Sequence, residues 1–172
     1  MKMRNALSLL IGFSMLALTA ASIGATGAGY PETASTDVLE VRQYHLTLDK
    51  AEKTGTAMQS INQLVASNPS LSAAMDSNTS TGKRPITEQA QDIDAKYPQV
   101  AAIIHANGLG TREFIVVTGA IINDAGFVGM KKQGLISAYP PNSITPENAA
   151  LVEQNWDKFQ AIMAKMMPPS SR

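Results

Sequence analysis

The 172-residue chain contains no cysteine. It can form no disulfide, thiolate nucleophile, Cys-ligated metal site or covalently attached c-type haem, and it is no lipoprotein anchored through a lipidated cysteine. Histidine is nearly as scarce, with only His45 and His105. Neither sits in an H-E-x-x-H zinc spacing, nor in the Glu-x-x-His pair that di-iron bundles use. A nucleophile elbow, a Ser–His–Asp order, a kinase set and a metal-binding loop are all missing. Charge runs and internal repeats are missing too. These absences remove the enzyme classes that announce themselves by motif. Catalysis is left only to residues assembled from far apart, and no cofactor is expected.

What is present begins with an export signal. Lys2 and Arg4 make a short positive start, Ala6 to Ala20 an apolar core, and Thr19-Ala20-Ala21 a small-residue cleavage site. Residues 1–21 therefore read as a signal peptide, and cleavage after Ala25 or Ala28 also fits. An exported chain without cysteine suits a bacterial periplasm or exterior. Residues 22–37, rich in Ala, Ser, Gly and Thr, read as a flexible tether. Their Gly24–Gly29 run has no preceding strand and no following Lys-Ser/Thr, so it is no phosphate loop. Asn78-Thr79-Ser80 would be a glycosylation sequon only in a eukaryote. Residues 38–168 suffice for one domain. Beyond Lys2 and Arg4 the chain carries twelve basic and fourteen acidic residues. That balance gives no electrostatic case for nucleic acid or an anionic membrane surface.

Thr111 to Gly134 is the most apolar stretch of this domain and its expected centre. Thr111 reads as an N-cap, Glu113 suits the positive end of the helix dipole, and Lys131 and Lys132 suit the negative end. Gly134 can take the left-handed position beyond the helix. Phe114, Ile115, Val117, Ile121, Ile122, Ala125 and Val128 cover most of the wheel. Glu113, Ala120, Asp124 and Lys131 form the expected wet edge. Asn123 and Asp124 make this a buried helix rather than a membrane span.

Three further helices are expected around it. One starts at a Thr47 cap and runs to about Ser67, with a short helix after Pro69. A second starts at a Thr87 cap and breaks at Tyr97-Pro98. The last opens at Thr145-Pro146-Glu147, with Ala149, Val152, Trp156, Phe159, Met163 and Met166 as its stripe. Val38 to Leu46 is left as either a short helix or an extended lead-in. The fold class is all-α, and short turns suggest an antiparallel four-helix bundle.

Candidate binding residues follow from this layout. Asp124 interrupts an apolar helix. If buried it would titrate unusually; on the wet edge it would be ordinary. Thr111 and Arg112 at a helix start can hold an anion. Gly119 and Gly126, with Gly129, leave room for a neighbouring helix or a ligand, and close packing is the favoured reading. Trp156 lies on the cleanest stripe. Met163, Met166 and Met167, with Met58 or Met130, fill a core or line an adaptable groove. His45 and His105 are weak metal or haem candidates.

Tyr44-His45-Leu46-Thr47-Leu48-Asp49-Lys50, then Gly108-Leu109-Gly110-Thr111-Arg112-Glu113-Phe114, then Pro141 to Asn148 resemble a group of small exported all-helical bacterial proteins without an assigned activity. The resemblance covers most of the mature chain. It implies helices and export and assigns no functional residue. The expectation is an exported bundle that binds a protein partner or a small apolar molecule, without catalysis. The alternatives are a metal- or haem-binding bundle and a periplasmic chaperone or stress adaptor.

Overall fold

The computed structural model describes residues 32–78 and 84–168. The signal peptide, most of the tether, the Gly24–Gly29 run and part of the sequon lie outside them. All regular structure among the described residues is helical: α1 (Glu32–Gln43), α2 (Leu48–Ser67), α3 (Pro69–Asn78), α4 (Ile86–Lys96), α5 (Pro98–Ala106), α6 (Thr111–Lys132), α7 (Pro146–Gln154) and α8 (Trp156–Met166). Helix α1 settles the ambiguous lead-in and starts at Glu32, inside the stretch expected to be a tether. Residues 44–47 then form a non-helical link, with Thr47 extended.

Helix α6 is the centre of the core. Phe114, Ile115, Val116, Val117, Ile121, Ala125 and Val128 are all buried, and all of these except Ala125 contribute roughly 1.5–3 kcal/mol each on leaving water. Helices α1, α2, α4, α5, α7 and α8 pack against it. Its length and composition would let it cross a membrane, but most of that apolar surface is buried among these neighbours. The C-terminal expectation holds, with Lys131 and Lys132 in the last turn and Gly134 at φ 72°. The N-terminal one shifts by a residue. Gly110 is the N-cap and Thr111 the first helical residue, its hydroxyl bonded elsewhere.

Several local signals work as expected. The Thr47 hydroxyl accepts from Lys50 N at 3.3 Å, and the Thr145 hydroxyl from Asn148 N at 3.2 Å, with Pro146 opening α7. Tyr97-Pro98 separates α4 from α5. Tyr97 itself is buried, and its hydroxyl donates to the Ala74 carbonyl at 3.0 Å. Thr87 caps nothing, because α4 starts at Ile86, whose N–H donates to Asp37 Oδ2 of α1 at 2.8 Å. A carboxylate there also suits the helix dipole. The last helix is broken at Asn155, whose side chain donates to the Leu151 carbonyl at 2.9 Å.

The neighbours of α6 are not all antiparallel. Asn123 meets Ser143, Asp124 meets Asn148, and Lys131 meets Glu153. These contacts advance along α6 and α7 together, so the two helices run in the same sense. The rule that neighbours alternate assumes short turns. Here residues 133–145 are long enough to carry the chain back beside α6 before α7 begins. Helix α8 then lies on α2, where a Cβ at Gly55 would meet Ile162 Cγ2 at 3.0 Å.

Candidate functional site

The middle of α6 carries a buried polar node. Asp124 and Asn148 are fully buried, and Asn123 and Ser143 nearly so. Asp124 Oδ1 accepts from Asn123 Nδ2 at 2.9 Å, and Oδ2 from Asn148 Nδ2 at 2.8 Å. Each amide also reaches a backbone carbonyl: Asn123 donates to Ser143 at 2.7 Å and Asn148 to Tyr44 at 2.8 Å. Asn148 Oδ1 accepts from Leu46 N at 3.1 Å. One carboxylate thus ties α6 to α7, to the 44–47 link and to the end of the 133–145 link.

Among the described residues no cation accompanies this carboxylate. Burial pushes Asp124 up to about 6, and the Asn123 and Asn148 hydrogen bonds pull only partly back. Neutral amide donors recover less than a charge loses on leaving water. The wet-edge expectation for Asp124 is therefore corrected, and with it that for Ala120, which is fully buried. The edge is wet only near its ends, at half-exposed Glu113 and exposed Lys131. The sequence held a signal for this. Ile121 and Val128 sit three before and four after Asp124, on its own face of the helix. Asn148 went unnoticed, although it stands one turn before Val152 on the apolar stripe of α7.

The start of α6 is a set of surface ties. Buried Thr111 donates its hydroxyl to Asp94, with His105 Nε2 at 3.2 Å on the same oxygen. The acid bonds the hydroxyl rather than holding the imidazole, so this is no nucleophilic triad. Arg112 is not open to an anion: its guanidinium grips Glu40 of α1 with two nitrogens and reaches the Thr87 hydroxyl at 3.4 Å. Glu113 accepts from Lys50 at 2.8 Å and from the Tyr44 hydroxyl at 3.1 Å. Burial, with the Glu113 charge, pushes Tyr44 up to about 12, and Lys50 holds Glu113 below its usual range.

The glycines of α6 divide. A Cβ at Gly119 would meet both Val41 methyls at 3.1 Å, and one at Gly129 would meet Trp156 Cη2 at 3.2 Å. Their space is filled by neighbouring helices, so neither leaves room for a ligand. Gly126 is exposed, with nothing within 4 Å of its Cβ position. Trp156 is half-buried under Lys132, whose ammonium lies 5.6 Å from the ring centroid. Met58 and Met166 are core residues, whereas Met167 is exposed.

Both histidines are exposed, His45 in the 44–47 link and His105 on α5. Among the described residues no group of three or more His, Asp or Glu is placed to hold a metal ion. Thr111 and Gly129 stand 18 residues apart on α6, or about 27 Å at 1.5 Å per residue. The predicted site residues therefore belong to three places: the start of α6, the Asp124 node, and the Trp156 end. No protein-family model, curated protein or solved structure matches the chain.

Proposed function

We propose that this chain is exported through residues 1–21 and works as a non-catalytic binding protein, its four legs (α2, α4–α5, α6 and α7–α8) forming an irregular helical bundle. The favoured ligand is a protein partner rather than a small apolar molecule, because Val41 and Trp156 fill the space beside Gly119 and Gly129. The observation that carries this reading is the surface at the end of α6. Leu135 is 68% exposed there. Lys131 and Lys132 lie over Tyr139 and Trp156, with centroid distances of 4.6 and 5.6 Å. An exposed leucine at the end of α6 that also carries two partly exposed aromatic rings suits a protein-binding surface. By contrast, the Asp124 node is bonded within itself and to backbone, and Arg112 to Glu40 and Thr87, so neither is poised on a substrate.

The test is crosslinking in the native host, followed by capture of the mature protein. A specific partner recovered with the wild type and lost with Leu135→Glu supports the reading. A bare monomer in native mass spectrometry that captures nothing removes it.

A further inference from the structure

The face of α6 that meets α1 is covered over only part of its length. Gly119 lies under Val41 of α1, and Arg112, seven residues earlier on the same face, is gripped by Glu40 of α1. Seven residues beyond Gly119, Gly126 is exposed, with nothing within 4 Å of its Cβ position. Met130 follows one turn later, partly exposed. Leu135 turns back onto it, its N–H donating to the Met130 carbonyl at 2.9 Å. Phe127 flanks this strip and is also partly exposed. Between Gly119 and Met130 the only acid or base is Asp124, which is buried, and the strip ends at two cations, Lys131 and Lys132. Lys131 is answered by Glu153, whereas among the described residues Lys132 meets the Trp156 ring and makes no ion pair.

We propose that the uncovered part of this face receives a helix of the protein partner, with an aliphatic side chain over Gly126 and a carboxylate on Lys132. The proposal rests on the partner-binding reading above and names what the partner presents. Helix α1 supplies the pattern. It meets the covered part of the face with two adjacent residues, Val41 over a glycine and Glu40 on a cation. The uncovered part offers the same two features, a bare glycine and a cation without a carboxylate. A helix that lays apolar residues at steps of three and four along the strip, with acids at its rim, complements it in shape and in charge.

A photo-crosslinking side chain at Gln133, exposed and seven residues beyond Gly126 on the same face, identifies the occupant in the native host. The expected product joins this position to a peptide of another protein, with apolar residues at helical steps and acids beside them. That peptide, made synthetically, should bind the mature chain, and bind more weakly as salt rises. Its binding should be lost with Lys132→Glu and with Gly126→Leu. The second variant adds a side chain where nothing stands within 4 Å, so it keeps its fold, as its helical circular dichroism checks. A crosslinked peptide without acids or helical spacing, a crosslink to a second copy of this chain, or binding that survives either substitution overturns the proposal. Those results leave the partner-binding reading standing, whereas a wild type that crosslinks to nothing removes both.

Discussion

Two regions of α6 handle charge in opposite ways. At its start, Arg112, Glu113 and their partners are charged, paired and wet. At its middle, Asp124 is buried and bonded to two amides, with no countercharge among the described residues. A similar contrast separates Asp124 from Asp92 on α4. Arg84 and Lys96 hold Asp92 down at about 2, whereas burial lifts Asp124 to about 6. Residue type is the same in both cases. What differs is whether a cation or an apolar wall stands nearest. Charge at the surface fixes which helices meet, while charge in the core makes a packing contact depend on pH.

The largest break in this comparison is Asn148→Ala. It leaves Asp124 Oδ2, Leu46 N and the Tyr44 carbonyl without this partner. At roughly 1–3 kcal/mol for each buried group left unpaired, a loss of about 3–5 kcal/mol is expected in urea unfolding. The surface counterpart, Arg112→Ala, removes a two-nitrogen grip on Glu40 yet should cost only about 0.5–1 kcal/mol, because both side chains are partly exposed and screened.

The pH dependence has opposite signs in the two regions. A carboxyl whose affinity rises on folding stabilises the fold most fully below the unfolded value, near 3.8, and the contribution fades as pH rises through about 6. For Asp124 the swing is about 3 kcal/mol, at 1.36 kcal/mol per pKa unit. Asp92, depressed, contributes above 3.8 and is lost as pH falls toward about 2. Replacing Asp124 with Asn should flatten the first trend and leave the second in place, as measured by unfolding midpoints across pH.

Two smaller changes sharpen the contrast between full and open space. Thr54 is fully buried on α2, and its hydroxyl has no hydrogen-bond partner among the described residues. Thr54→Val removes an unsatisfied polar atom at nearly constant shape and should gain about 1 kcal/mol. Gly126→Ala, with nothing near its Cβ position, should gain about 0.5–1 kcal/mol from helix propensity. Gly119→Leu should instead drive Val41 off α6, and equal stability for the two glycine variants would contradict the packing described here.

The helices could be read from the sequence wherever their signals were local. The 22 residues of α6, the Thr47 and Thr145 caps, the Tyr97-Pro98 break and the left-handed Gly134 all depend on residues within one turn of each other. What escaped depends on distant residues. The carboxylate of Asp37 starts α4 from 49 positions away, and Asn148 reaches back 102 positions to Leu46. The burial of Asp124 followed from α7 running beside α6 in the same sense, which no helical wheel of α6 alone contains. The site residues were named in part, but their grouping was not legible. Arg112 pointed to an anion until Glu40, on a helix drawn from the ambiguous lead-in, proved to be its partner.

The most direct measurement is a carbon-13 NMR titration of the Asp124 side-chain carboxyl in the folded protein. The account predicts a midpoint at about 6, well above that of Asp92. A midpoint at or below 3.8 would contradict it, because the Asn123 and Asn148 hydrogen bonds would then outweigh the cost of burial.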